Sequence, residues 1–194
     1  MEAMDGSLTG RILIAMPGIG DPRFERSVIV MCMHTPEAAM GLVVNKIKEE
    51  ITLGDVLEHL GVQAPDPIAQ RAVLEGGPVK PDRGYVLHSP DFDAGDATQI
   101  VTPELSLTAT RDVLEALAAN GAPPARYVLA LGYAGWSAGQ LESELHNNLW
   151  LIGDLVGDLE RTIIFDEVHD RKWTRAIRSL GIDPSMLTGE SGRA

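Results

Sequence analysis

The sequence is poor in cysteine. Cys32 is the only cysteine among 194 residues, which excludes an internal disulfide and a cysteine-rich zinc site. A chain with one thiol is typical of a reducing compartment, so we expect a cytoplasmic protein. Because Cys32 lies in the apolar run of residues 28–33, where burial disfavours the thiolate, we interpret it as an inert core residue.

Membrane spans and export signals are also lacking. No segment approaches the run of about 20 apolar residues that a membrane helix requires. The N-terminal residues MEAMDGSLTG have neither the basic start nor the apolar core of a signal peptide. We therefore expect neither membrane association nor export.

Positive charge is scarce. The chain has 16 lysines and arginines against 28 aspartates and glutamates, a formal net charge of −12. This excess repels polyanions, so direct nucleic-acid binding is not expected. One basic cluster on the last predicted helix is typical of a solvated face, with phosphate contact as the alternative. It consists of Arg171, Lys172, Arg175 and Arg178.

Apolar runs predict strands, and capping residues followed by apolar repeats predict helices. The predicted strands are residues 11–16, 27–34, 40–44, 72–75, 85–88 and 127–131, with one that begins at Ile100 near Leu105 and Leu107 and one led by Trp150. Helices are predicted after Thr52, after Thr110 and around Trp173, and residues 62–70 are predicted as a loop because they contain two prolines.

The order of these elements favours an α+β fold. Short neighbouring strands are typical of antiparallel pairs, and the helices do not alternate regularly with the strands. We predict a single domain over residues 8–187, with flexible tails at residues 1–7 and 188–194.

Residues 127–152 carry the densest structural pattern. After the strand at 127–131, Gly132 and Gly135 predict a sharp turn. Ser137 with Gln140 three places on then fits a capping box that starts a helix. Leucines at every fourth position form its buried stripe, so we expect Glu142 and Glu144 to face water.

The same segment matches the GxSxG pattern of the hydrolase nucleophile elbow, with Ser137 as the candidate nucleophile. Only His146 and His169 follow it, and His146 lies in the helix that Ser137 would start. We therefore favour a structural role for Ser137 over a catalytic one.

A few other polar residues lie where chemistry is possible. His34 and His88 each end a strand and could act as acid, base or ligand, although hydrogen-bonded structural histidines are the favoured interpretation. Arg83 could bind a carboxylate or phosphate, against a favoured pairing with Asp82 or Asp91. The pairs Gly18 with Gly20 and Gly76 with Gly77 complete no phosphate-loop motif and are interpreted as turn glycines.

Several motifs together resemble the AlgH/YqgE family of bacterial proteins. They are LIAMPGIGDPRFERSVIVMC at residues 13–32, AMGLVVNK at 39–46, GGPV at 76–79, RGYVLH at 83–88, GYAGWSAGQLESEL at 132–145, Trp173, and LGID at 180–183. They cover nearly the whole chain. The resemblance implies a bifurcated, partly barrel-like mixed sheet flanked by helices. The family name also implies a proposed part in transcriptional control of alginate production, without establishing a DNA-binding site, a ligand or a reaction.

Two functional hypotheses follow. The first is a non-catalytic regulatory or interaction module that presents a surface around Asn45, Arg83, His88, Trp136 and Gln140 to an unknown protein partner or small ligand. The second is an enzyme or binding protein for a small anionic ligand, in which Arg83 binds charge and His88 transfers protons. We predict no metal and no cofactor.

Overall fold

The structure is a computed structural model that describes residues 6–118, 121–166 and 168–187. In these ranges the strands are β1 (Arg11–Ala15), β2 (Val28–His34), β3 (Ala38–Val43), β4 (Ile47–Thr52), β5 (Ala72–Glu75), β6 (Val79–His88), β7 (Thr98–Thr102), β8 (Leu105–Thr108), β9 (Tyr127–Ser137) and β10 (Trp150–Asp154). The α-helices are α1 (Leu53–His59), α2 (Asp66–Ala69), α3 (Arg111–Ala116), α4 (Gln140–His146), α5 (Asp158–Arg161) and α6 (Lys172–Ser179). A π-helical turn at Thr162–Asp166 and a 3₁₀ turn at His169–Arg171 lead into α6.

The predicted α+β fold is confirmed, and most predicted elements are present. Strands β1, β2 and β3 pair antiparallel in chain order. Helix α1 begins as predicted, because the Thr52 hydroxyl accepts the Asp55 amide and the Asp55 carboxylate accepts the Thr52 amide. Thr110 flanks α3, but its hydroxyl donates to Asp112 and does not cap the backbone.

Several elements were missed: β4, α2, α5 and the division of the predicted strand at Ile100 into β7 and β8. In strand β4, apolar and polar residues alternate only weakly, and none of its residues is buried. Its sequence therefore lacks the apolar run that predicts a strand. Helix α2 lies inside the predicted loop, and Pro67 occupies a first-turn position where the missing amide proton is not needed.

The sheet forks along β9, as the family resemblance implies. Strand order is β10-β1-β2-β3-β9-β6-β8-β7, and β5 pairs with β9 in parallel while also pairing with β4. The C-terminal end of β9 pairs with β3, from Gly41 opposite Ala134 to Ala38 opposite Ser137. The N-terminal part lies between β5 and β6. The result is a curled half-barrel sheet with helices packed on it.

The fork depends on glycines for which the sequence predicts turns. The predicted turn at Gly132 and Gly135 is wrong, because β9 continues through both residues to Ser137. Gly132 has φ +73°, and an added Cβ would lie 2.3 Å from the Gly77 carbonyl oxygen. A Cβ on Gly76 would likewise lie 2.3 Å from the Gly132 oxygen. These glycines therefore allow two backbones to approach each other where the sheet divides.

The buried apolar residues form three clusters around this sheet. One lies between the sheet and α6, one packs α4 against Trp136 and Trp150, and one packs α1 and α3 over β6 and β9. Cys32 belongs to the first cluster, and burial raises the pKa of its thiol to about 12. The predicted inert core thiol is confirmed.

Among the described residues, none of the helices has the length and hydrophobicity of a transmembrane span. The cytoplasmic location and the domain limits stay predictions. Residues 1–5 and 188–194, which make up most of the predicted tails, lie outside the described residues.

Candidate functional site

A groove of about 700 Å³ lies between α1 and α3 over the outer face of β6 and β9. Val86, Leu114 and Leu131 contribute to its floor and are buried. Ile51 and Leu60 line its α1 side and are half-buried. The groove is thus an apolar surface flanked by two short helices.

The rim of this groove is charged. Glu50, Asp55 and Asp82 line it beside Arg83 and Arg111. The Arg111 guanidinium is occupied, because it donates to the Glu115 carboxylate at 2.6 Å and to the Leu60 carbonyl at 2.9 Å. Asp55 also caps α1, and hydrogen bonds from Thr52 lower the pKa of its carboxyl, which keeps it ionised. With Arg111 paired, the rim is acidic overall.

Arg83 is exposed at this rim. The favoured pairing with Asp82 or Asp91 is wrong: in the described ranges no carboxylate lies within 4.0 Å of the Arg83 guanidinium, and Asp91 instead accepts from Ser89 and from the Ala125 amide. The Arg83 guanidinium lies 5.5 Å from the centroid of the Tyr85 ring. Its hydrogen-bond donors are therefore available to a ligand.

His88 is buried, and both its ring nitrogens are hydrogen-bonded. Nδ1 lies 2.8 Å from the Ser89 carbonyl oxygen and Nε2 lies 2.8 Å from the Thr108 hydroxyl. The chain continues from Thr108 to the Thr98 hydroxyl at 2.8 Å, and Thr98 accepts the Ala94 amide. One arrangement satisfies every atom: Nδ1 carries the proton, Nε2 accepts from Thr108, and Thr108 accepts from Thr98.

Protonation of His88 would change this arrangement, because Nε2 would become a donor and the Thr108 hydroxyl would have to accept from it and direct its own hydrogen toward Thr98. Burial lowers the pKa of His88, partly offset by the bond to the Ser89 carbonyl. The predicted structural histidine is therefore confirmed. An imidazole that is buried and bonded at both nitrogens lacks the access that proton transfer to a substrate requires.

Asn45 and His34 also serve the fold. The Asn45 side chain accepts the Val28 amide at 2.8 Å and donates to the Arg26 carbonyl at 2.7 Å, so it fixes the start of β2. His34 accepts the Leu8 amide at Nδ1, and its Nε2 lies 2.8 Å from the Glu142 carboxylate. Hydrogen bonds from its own backbone and from His34 lower the pKa of Glu142.

Trp136 and Gln140 meet in a group that we call the indole cluster, formed by Trp136, Gln140, Glu144 and Trp150. The indole N–H groups of Trp136 and Trp150 both donate to one oxygen of Glu144 at 2.8 Å. Gln140 donates to the other oxygen at 2.9 Å. The expectation that Glu144 faces water is wrong, because α4 turns this carboxylate toward two largely buried indoles.

Ser137 lies at the edge of the indole cluster. Its hydroxyl donates to the Gln140 side-chain oxygen at 3.3 Å, and its amide donates to the same oxygen at 3.1 Å. The predicted N-cap is wrong, since Gly139 occupies that position with φ +72°. The partner of the Ser137 hydroxyl is an amide and not an imidazole, so the geometry does not support a hydrolase elbow.

The basic face of α6 is smaller than predicted. Arg171, Arg175 and Arg178 are exposed, but Lys172 is fully buried and donates to the Val44 carbonyl at 2.9 Å and the Ile164 carbonyl at 3.1 Å. Lys172 therefore joins the end of β3 to the π-helical turn. Its assignment to a solvated face is wrong because Lys172 lies on the buried side of α6 with Trp173, Ala176 and Ile177.

Comparison with known proteins identifies the family. The family model described as AlgH-like matches residues 12–185. This chain belongs to the AlgH-like family. It is 49% identical to a UPF0301 protein of Caulobacter vibrioides (strain NA1000 / CB15N), over 96% of this chain and 94% of that protein. It is 46% identical to a UPF0301 protein of Jannaschia sp. (strain CCS1), over 100% and 99% of the two chains.

Two solved structures share the fold. The solution structure of the AlgH protein from Pseudomonas aeruginosa aligns with a TM-score of 0.78 at 36% identity over 100% of both chains. The crystal structure of protein DIP2367 from Corynebacterium diphtheriae aligns with a TM-score of 0.65 at 20% identity, covering 96% of this chain and 92% of that one. The second likeness shows the fold alone.

The AlgH-like fold does not gather the predicted site residues in one place. Arg83 lies at the groove, Trp136 and Gln140 in the indole cluster, His88 in the interior beside Phe92, and Asn45 at the start of β2. The sequence did not indicate the acidic residues of the groove's rim, Glu50, Asp55 and Asp82, or the role of Glu144. Their sequence spacing carries no motif, because each depends on a contact between distant elements.

Proposed function

We propose that this AlgH-like protein is a non-catalytic interaction module, and that its groove between α1 and α3 binds an apolar peptide segment that carries positive charge. The observation behind this proposal is an apolar floor beneath an acidic rim. A regulatory role would act through such a protein partner and would need no direct contact with DNA.

The apolar floor supports a peptide ligand. Half-buried Ile51, Val56 and Leu60 face the space above buried Val86 and Leu131. A groove between two helices accepts an amphipathic segment through apolar anchors that leave water on binding. Each fully buried leucine-sized side chain contributes about 1.5 to 3 kcal/mol to association.

The rim charge supports a basic ligand over an anionic one. Glu50, Asp55 and Asp82 line the groove, while Arg111 is already paired with Glu115. A basic side chain would gain from these carboxylates, and an acidic one would be repelled by them. The chain's net charge of −12 acts in the same direction over longer distances.

The alternative, a small anionic ligand held by Arg83, has one favourable observation. Arg83 has no carboxylate partner in the described part of the chain. Against it, three carboxylates share the same rim, and His88 is unavailable as the proton-transfer group. We therefore place this alternative second.

A peptide titration tests the proposal. An amphipathic peptide of leucine and lysine and its leucine and glutamate counterpart are added to the ¹⁵N-labelled protein, and amide chemical shifts are followed. We expect the basic peptide to shift amides of α1, α3 and β6, and the acidic peptide to bind more weakly. Tighter binding of the acidic peptide, or shifts confined to other elements, would contradict the proposal.

Charge reversals at the rim sharpen this test. We expect Glu50→Lys and Asp82→Lys each to weaken binding of the basic peptide by about threefold to tenfold. Asp96→Lys is the matched control, because it makes the same change at an exposed position that does not line the groove. Equal weakening by all three variants would show only a general charge effect.

A further inference from the structure

We propose that a second cavity, lined by Arg71, Arg126 and His169, binds the phosphoryl group of a small phosphorylated molecule. We call it the cationic cavity. It has a volume of about 320 Å³ and lies between the residues that precede β5 and β9 and the 3₁₀ turn at His169–Arg171. It shares no lining residue with the groove between α1 and α3, so this inference does not rest on the proposed function.

The hydrogen-bonding state of Arg126 is the first argument. Arg126 is half-buried, yet its guanidinium makes no hydrogen bond or ion pair to any described residue, and its Nε is buried without a partner. It lies 5.9 Å from the centroid of the Phe165 ring. A guanidinium carries five donors, and leaving a buried one unmet is unfavourable. An acceptor from outside the chain would relieve this.

His169 gives a second, separate observation. Its imidazole hydrogen-bonds to the Val44 backbone, but its Nδ1 is buried without a hydrogen-bond partner. In the described ranges only three buried side-chain polar atoms lack a partner, and two of them belong to residues that line this cavity. Unmet polar atoms are rare in folded proteins, so their occurrence around one cavity supports a binding site there.

Arg71 adds a further cation. Its guanidinium lies 4.2 Å from the centroid of the Tyr127 ring and makes one long bond of 3.4 Å to the Tyr127 carbonyl. Stacking on an aromatic ring holds the guanidinium plane while leaving most of its donors available. Guanidinium groups recognise oxyanions through paired N–H donors.

The charges around the cavity favour a dianion. Asp166 lines it, but Asp166 is paired with Arg161 at 3.1 Å. Glu160 is close enough to interact with the charge of Arg126, but it does not line the cavity, and burial raises the pKa of its carboxyl. The buried ammonium of Lys172 is close enough to His169 to lower the pKa of that imidazole, after the larger effect of burial. Two guanidiniums suit the charge of a phosphate better than that of a single carboxylate.

The backbone holds these side chains in place. Arg126 accepts the Ser89 amide at 2.9 Å through its carbonyl and donates its own amide to the Ser89 hydroxyl at 3.0 Å. Arg71 accepts the Leu53 amide at 2.9 Å. Both arginines thus extend from fixed backbone positions, which reduces the entropy lost when they order around an anion.

Titration of the ¹⁵N-labelled protein with inorganic phosphate at constant ionic strength tests the proposal, with acetate and chloride in parallel. We expect phosphate to shift the amides of Ala125, Arg126, Tyr127 and His169 and to bind at least about tenfold more tightly than acetate. No saturable shift with phosphate, shifts centred on other residues, or equal binding of acetate would overturn it.

Variants locate the site. Arg126→Gln and Arg71→Gln should each weaken phosphate binding by about tenfold or more, since a charge-assisted hydrogen bond is lost. Arg178→Gln is the matched control on the exposed basic face and should change binding by less than about twofold. If Arg126→Gln fails to fold, Arg126→Lys keeps the charge and should show an intermediate loss. Loss with Arg178→Gln and not with the other variants would place the anion on α6 and refute the assignment.

Discussion

The indole cluster and the cationic cavity differ in how fully their polar atoms are bonded. In the indole cluster, one carboxylate of Glu144 receives the N–H groups of Trp136, Trp150 and Gln140. In the cationic cavity, Arg126 and His169 each keep a buried nitrogen without a partner. Trp136 and Trp150 therefore stabilise the fold, while Arg126 keeps hydrogen-bond donors that have no acceptor in the described part of the chain.

This difference separates structural from functional polar residues. A network that is fully bonded within the chain offers nothing to a ligand, and any disturbance of it lowers stability. A site whose polar atoms lack partners forms new hydrogen bonds when a ligand binds. Its residues contribute little to the stability of the free protein. Four measurements test the comparison.

The largest effect should come from the sheet fork in β9. Gly132→Ala places a Cβ 2.3 Å from the Gly77 oxygen at φ +73°. We expect the free energy of unfolding to fall by about 3 to 5 kcal/mol, or folding to fail, because a backbone clash adds to left-handed strain. Urea unfolding followed by circular dichroism measures it.

Gly139→Ala is the matched control for that variant. Gly139 has nearly the same φ, +72°, but an added Cβ there meets nothing within 4 Å. We expect a loss of only about 1 kcal/mol from backbone strain. Similar losses for the two variants would show that the close approach of the strands at the fork is not what requires glycine.

Glu144→Ala should be the next most damaging change. It removes the acceptor of two largely buried indole N–H groups, so we expect a loss of about 2 to 4 kcal/mol. Glu144→Gln keeps a side-chain oxygen and should lose less. Glu115→Ala, which breaks an exposed pair with Arg111, should cost less than about 1 kcal/mol. A loss no greater for Glu144→Ala than for Glu115→Ala would show that the cluster is not a stabilising network.

The pH dependence of stability tests the hydrogen-bond chain at His88. Burial lowers the pKa of His88 in the folded protein, so the unfolded chain binds more protons as the pH falls through about 6.5. Stability is then lost as the pH decreases below that value. Urea midpoints at pH 7.5 and pH 5.5 should differ less in His88→Gln than in the unaltered protein. An equal difference would mean that His88 does not contribute to the acid sensitivity.

The smallest effect should come from the cationic cavity without its ligand. Arg126→Gln removes a guanidinium that has no hydrogen-bond acceptor in the described part of the chain, so we expect stability to change by less than about 1 kcal/mol. Thermal unfolding in phosphate-free buffer measures this. In saturating phosphate the unaltered protein should gain stability, and the variant should gain less because it binds phosphate more weakly. A large loss in phosphate-free buffer would assign Arg126 to the fold and weaken the comparison.

The sequence predicted the elements whose patterns are local. Strands β1 to β3 follow from apolar runs, α1 from the reciprocal bonds of Thr52 and Asp55, and the α+β class from the order of elements. Ser137 and Gln140 were correctly paired, but only one direction of their bonding exists, because Gly139 takes the capping position. The spacing of Ser137 and Gln140 identified them as partners. Because β9 extends to Ser137, the helix begins later than predicted and Ser137 is not its N-cap.

Sequence composition determined the class of protein, an acidic chain with one inert thiol. The GxSxG pattern at Ser137 has no suitably placed histidine in the sequence. Tertiary structure decided the roles of individual polar residues. Gly132 faces another backbone, Lys172 is buried between two carbonyls, and Arg71, Arg126 and His169 line one cavity from separate parts of the chain. Each of these roles depends on contacts between residues far apart in sequence, and periodicity along one segment carries no information about such contacts.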